Sequence, residues 1–171
     1  MKSSPEAGRS PAKIIVAGSR GVGKTTFVGS VSDTDPITVE AATDIGRITL
    51  HPDLVLYLFG TSEAPQSGFG GALGAVVLVD ARRIEDAFAT ISYFEDGGFD
   101  VPFLVAVNMF DGELRYELDE LREALAVRPD VPLTTCDARD PASTAKTLQE
   151  LVSYTMNGGG SDHTSPPELP G

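Results

Sequence analysis

Residues 18 to 25 read Gly18-Ser19-Arg20-Gly21-Val22-Gly23-Lys24-Thr25 and follow directly on the apolar run Ile14-Ile15-Val16-Ala17. Glycines at this spacing, closed by Lys and Thr, call for a strand that ends in a tight loop and turns straight into a helix. Such a loop aims backbone N–H groups, the helix N-terminus and one lysine at a single point. Its natural complement is a polyphosphate. Lys24 would reach the outer phosphates and the Thr25 hydroxyl would ligate Mg²⁺, with Arg20, Gly21, Val22, Gly23 and Thr26 completing the cradle.

Beyond this loop, short apolar runs alternate with segments of helical period, the pattern of a parallel sheet covered on both faces. Strands are expected at 13–17, across Ile45, Ile48 and Leu50, and at 54–59, 74–80, 101–107 and 131–135. Helices are expected from Lys24 to about Val31, along Ile84, Phe88, Ile91 and Phe94, along Leu114, Leu118, Leu121 and Leu125, and along Leu148, Leu151, Val152 and Thr155. His51-Pro52-Asp53 is too short for a crossover helix, so the strands around it should pair antiparallel. The expected architecture is α/β: a P-loop NTPase with a six-stranded, mostly parallel sheet, one antiparallel edge strand and about five helices on both faces. Residues 1–12 and 157–171, rich in Ser, Pro and Gly, are expected to be flexible tails around one domain at 13–156.

Thirteen basic residues against 25 acidic ones leave a formal charge of −12. That balance argues against a nucleic-acid or anionic-membrane surface, which needs clustered Lys and Arg. The lone Cys136 has no internal disulfide partner, and no apolar segment follows Met1-Lys2-Ser3-Ser4-Pro5, so a cytoplasmic protein is expected. The longest apolar runs, such as 75–79 and 103–107, fall far short of the roughly 18 residues that would suggest a membrane span. No direct membrane insertion is expected.

Two further segments stand where a ligand base would be read. Asn108-Met109-Phe110-Asp111 follows the 101–107 strand at its carboxyl end. A carboxylate there can accept from the N1–H and N2–H₂ groups of guanine, donors that adenine lacks, which assigns base selection to Asp111. Asn108 would brace this loop against the phosphate-binding turn. Asp137-Ala138-Arg139 follows the last strand, where the Ala138 N–H could meet the base oxygen and the Arg139 stem could pack over the base.

In order and spacing these segments resemble the Ras-like small GTPases. Residues 48–61, 77–80, 107–112 and 136–139 are similar to the GTPases of actinobacterial conservon operons, a family akin to the MglA polarity GTPases, and Met109 matches that family's replacement of the usual Lys. The resemblance implies GTP and GDP binding, Mg²⁺, slow hydrolysis, and work beside a roadblock-fold protein and a histidine-kinase-like membrane sensor. Any membrane association would then come through a partner.

The departures from the Ras pattern bear on hydrolysis. Gly60-Thr61-Ser62-Glu63 stands where D-x-x-G is usual, Ala64 where a water-positioning Gln would follow, and Gln66 lies two residues further on. Thr34, Thr38 and Thr43 could each offer Mg²⁺ a hydroxyl, with Thr38 first by position. Arg20 occupies a site commonly held by Gly, where it supplies transition-state charge, obstructs the site or simply points to solvent. Arg20 and Gln66 are thus the catalytic candidates. The expected function is a guanine-nucleotide switch with slow or impaired hydrolysis; the alternative is a scaffold that has lost nucleotide switching.

Overall fold

A computed structural model of the 171-residue chain describes residues 12–33, 37–39, 43–51, 54–61, 71–96, 101–110 and 116–157. Seven strands form one sheet: β1 (Ala12–Ala17), β2 (Ile37–Val39), β3 (Thr43–His51), β4 (Leu54–Thr61), β5 (Gly74–Val79), β6 (Phe103–Asn108) and β7 (Leu133–Cys136). Their order is β2-β3-β4-β1-β5-β6-β7. From β4 to β7 every pairing is parallel, and β3 runs antiparallel to β4 as the short connection requires. The expected six strands are therefore present in a mostly parallel sheet. The three-residue β2 is an addition at the antiparallel edge, paired with β3 through Thr38 opposite Asp44.

The period of two in the strands divides the core into two layers. Ile14, Val16, Leu56, Leu58, Val76 and Leu104 point to one face, where Phe27 and Val28 of α1 (Lys24–Val31) and Leu148 and Leu151 of α4 (Pro141–Met156) cover them. Ile15, Ala17, Val77, Val105 and Val107 point to the other, beneath Ile91 and Phe94 of α2 (Phe88–Glu95) and Leu121 and Leu125 of α3 (Leu118–Leu125). Strands β5 and β6 are buried at every residue, which is why their sequences read as unbroken apolar runs. Caps fix where the later helices begin. The Asp140 carboxylate accepts from Ala142 N ahead of Pro141, and Glu117 and Glu120 form a reciprocal capping box at the start of α3.

Four α-helices stand among the described residues where about five were expected, and one of the expected helices is altered. The periodic run from Ile84 to Phe94 is split into a 3₁₀ segment, Ala81–Ala87, and α2, with a non-helical Arg83 at φ −140° and ψ 64° inside the 3₁₀ segment. At the junction of the two segments Ala87 takes the buried position, and Phe88, expected on the buried face, is 43% exposed. Leu118, in the first turn of α3, is also exposed, whereas Leu121 and Leu125 are buried. Of the expected tails, 1–12 and 157–171, residues 1–11 and 158–171 lie outside the described residues, as does Leu114, whereas Ala12 opens β1 and Asn157 caps α4. No helix among the described residues is long and apolar enough to cross a membrane.

Replacing the fully buried Leu148 with Ala should lower unfolding free energy by roughly 2–5 kcal/mol, whereas Phe88→Ala should cost less than about 1 kcal/mol. Urea unfolding of the two variants checks this; equal losses would mean that Phe88 is buried in the core.

Candidate functional site

Strand β1 lies between β4 and β5, and the carboxyl ends of β1, β6 and β7 stand on the same edge of the parallel sheet. The loop from Gly18 to Gly23 leaves β1 at that edge and enters α1 at Lys24. Gly23 caps the helix in a left-handed conformation, φ 107°, with no side chain bonded to the first-turn amides. A Cβ at this position would lie 2.5 Å from the Asn108 amide nitrogen, so close approach as well as backbone conformation requires glycine. The resulting helix start is electropositive and carries no acidic residue in its first turn.

Lys24 is only 7% exposed, and its ammonium group donates to the carbonyl oxygens of Gly18 and Ser19, each at 2.8 Å. Burial lowers its pKa from 10.5 to about 8, against the raising effect of the Asp44 carboxylate and with a further lowering by the Arg20 charge. The folded value lies below the unfolded one, so Lys24 lowers stability below pH 8, and that penalty is relieved as pH rises from 8 through 10.5. The Ser19 hydroxyl is buried in the same loop without a hydrogen-bond partner among the described residues. A cationic amine, uncapped amides and an unpaired hydroxyl make a cradle suited to an anion.

Next to Lys24, the Thr25 hydroxyl donates to Asp44 Oδ2 at 2.5 Å. Asp44 is 7% exposed and sits on β3 directly opposite Gly60 of β4. The carboxylate that meets Thr25 thus comes from the antiparallel strand beside Gly60. Asp44 was not among the residues expected at the site, because only strand register brings it there. Among the described residues no three His, Cys, Asp or Glu side chains cluster to hold a metal. A hard cation could be held here by Thr25, backed by Asp44, only in company with oxygens of a bound anion.

Asn108, at the end of β6, behaves as a brace. Its amide nitrogen donates to Val22 O at 3.0 Å, and its amide oxygen accepts from Ala138 N at 3.0 Å. The N–H of Ala138, expected to face a base, is engaged by Asn108. Arg139 folds its guanidinium back onto Asp137, at 3.0 and 3.2 Å, instead of extending freely. Burial, then the charge of Asp137, pushes the Cys136 thiol up to about 12, so this lone cysteine is held neutral.

The phosphate-loop residues, Thr25, Asn108 and Ala138 are therefore gathered at one edge, with Arg20 exposed at the rim of the loop. Asp111, Thr34, Ser62, Glu63, Ala64 and Gln66 lie outside the described residues, and Thr38 and Thr43 are described only as backbone of β2 and β3.

No known protein-family profile matches the sequence, and no curated protein does. Among solved structures, the chain is similar to an Era variant from Aquifex aeolicus bound to GDP·AlF4⁻, with a TM-score of 0.64, 15% identity and 84% of this chain covered. It spans only 56% of that Era chain. It is also similar to the FeoB G-domain from Methanococcus jannaschii, with a TM-score of 0.59, 15% identity, and coverage of 86% of this chain and 99% of the other. The fold is that of a P-loop G domain.

Titrating Lys24 by NMR of its side-chain carbons should give a midpoint near pH 8 in the nucleotide-free protein. Asp44→Asn should move the midpoint lower still; an unchanged midpoint would remove Asp44 from the electrostatics of the site.

Proposed function

We propose that this protein binds GTP and GDP with Mg²⁺ and acts as a molecular switch with slow or impaired hydrolysis. The observation that carries this reading is the hydrogen-bonded assembly in which Asn108 joins Val22 of the phosphate loop to Ala138 of the loop after β7. A glycine-rich turn with no ligand would have no need of such a connection to two distant loops. Lys24 and the amides opening α1 would hold the phosphates, and Thr25 would ligate Mg²⁺ with Asp44 behind it. The cation would neutralise phosphate charge. Thr38 is the first choice for a second hydroxyl at the metal.

Asp111 would select guanine through its two donors, with Ala138 and Arg139 flanking the base. Glu63 and Ala64, in place of a γ-phosphate-sensing Gly and a water-positioning Gln, favour slow turnover, since phosphoryl transfer depends mainly on positioning and electrostatics. Output would come from the segments around 32–44 and 61–72 changing partner affinity. By its resemblance to the conservon GTPases, the chain would work in the cytoplasm beside a roadblock-fold protein and a histidine-kinase-like sensor. The altered 60–64 segment equally suits a scaffold that no longer switches.

Titration of the purified protein with fluorescent GTP, GDP and ATP analogues, with and without Mg²⁺, separates these readings. Guanine-nucleotide binding that is Mg²⁺-dependent, with little phosphate release, is the expected result; absence of binding would favour the scaffold, and preference for ATP would overturn the role of Asp111. Thr25→Ala and Asp44→Asn should both weaken the Mg²⁺ dependence. Phosphate charge would favour protonated Lys24, so affinity should fall as pH rises above about 8, and Lys24→Met should abolish that pH dependence.

A further inference from the structure

On the outer side of the phosphate loop lies a second network built on Asp80. This residue ends β5 and caps the 3₁₀ segment, and its side chain is 1% exposed. Its carboxylate accepts from Arg82 N, Nε and Nη2, each at 2.9 Å, and from Arg83 Nε at 3.4 Å. Burial alone would raise its pKa, yet the side-chain and backbone hydrogen bonds from Arg82 hold the carboxyl below its ordinary range. Successive residues on a regular helix project about 100° apart. The non-helical backbone at Arg83 is what lets both guanidinium groups converge on one carboxylate.

Each arginine then reaches a different loop. Arg83 Nη2 donates to Arg20 O at 3.3 Å, and a Cβ at Gly21 would lie only 3.0 Å from that nitrogen. Arg83 also pairs with Asp86 at 3.3 Å. The Arg82 guanidinium carbon stands 4.1 Å from the centre of the Phe110 ring, in the loop that continues to Asp111. A buried carboxylate is costly unless its partners stay in place, and a guanidinium's planar fork holds them at a set angle. Asp80 thus links the phosphate loop to the Phe110 loop from outside, while Asn108 ties the phosphate loop and the loop after β7 to the end of β6 from within.

We infer that Asp80, through Arg82 and Arg83, is a positioning residue that sets the spacing between the phosphate loop and the Phe110 loop and so controls nucleotide residence time. This inference rests on the guanine-nucleotide reading above. Arg83 is the phosphate-side arm and Arg82 the base-side arm. Their losses should therefore differ in kind.

The test is release of N-methylanthraniloyl-GDP from the full chain with Mg²⁺, chased by unlabelled GDP, together with competition by GDP and by IDP, which lacks the 2-amino group. Asp80→Asn should speed release about tenfold, and Arg82→Ala or Arg83→Ala by roughly three- to tenfold, the range set by the net contribution of one partly exposed hydrogen bond. In the Asp80→Asn background, Arg83→Ala should add little, because the two act through one network. Arg82→Ala should narrow the preference for GDP over IDP; Arg83→Ala should leave it unchanged, and Arg83→Lys should restore part of the residence time. A core variant, Ile91→Ala, with an equal fall in thermal midpoint should show none of these changes. If Asp80→Asn does not fold, the two exposed arginine variants carry the test.

Unchanged release and unchanged GDP/IDP preference in variants of a wild type that binds would overturn this inference alone. So would effects that the core variant reproduces. Failure of the wild type to bind the GDP analogue would overturn the nucleotide reading and this inference with it.

Discussion

The primary amide of Asn108 holds the carboxyl edge of the sheet together. Three loops from three separate strands meet there, and backbone hydrogen bonds of the sheet stop just short of them. One side chain with a donor and an acceptor joins two of them to its own, donating to Val22 and accepting from Ala138. The contacts are buried, so losing either would leave a backbone group unsatisfied away from water, which costs more than the bond itself contributes. The neighbouring Met109 N–H donates to Cys136 O at 2.8 Å, continuing the β6–β7 ladder to the edge of the site. Loop geometry at the site therefore follows from sheet register and one amide.

The relation between Asp44 and Gly60 illustrates how chemistry can move without the fold changing. Residues opposite one another in an antiparallel pair share a face and stand about 5 Å apart, so a side chain on one strand can serve a position vacated on its neighbour. A Cβ built on Gly60 would lie 3.8 Å from that of Asp44 and 3.7 Å from that of Lys24. The missing carboxylate at 60 consequently does not leave Thr25 without an acidic partner.

Much of this was legible in the chain itself. The phosphate loop, the buried strands 74–79 and 103–108, and the antiparallel pair around 51–54 follow from glycine spacing, apolar runs and loop length, all local properties. The bracing role of Asn108 could be read from its place after a strand. By contrast, the helical period from Ile84 to Phe94 concealed the change from 3₁₀ to α-helix at Phe88, which follows the irregular backbone at Arg83 where Asp80 captures both arginines. Nothing in the linear pattern marks Arg82 and Arg83 as two arms on one carboxylate.

The sequence by itself determined the α/β class, the strand–loop–helix around Gly18 to Lys24, and the buried strands of the parallel sheet. Only the tertiary structure decided which carboxylate stands beside Thr25, where the Ala138 N–H is directed, and which charged groups grip the outside of the phosphate loop. Glycine spacing and hydrophobic period act on neighbouring residues and survive in one dimension. The hydrogen bonds from Thr25 to Asp44, from Ala138 to Asn108 and from Arg83 to Arg20 join residues 19, 30 and 63 positions apart, and their partners become neighbours only once the strands are in register.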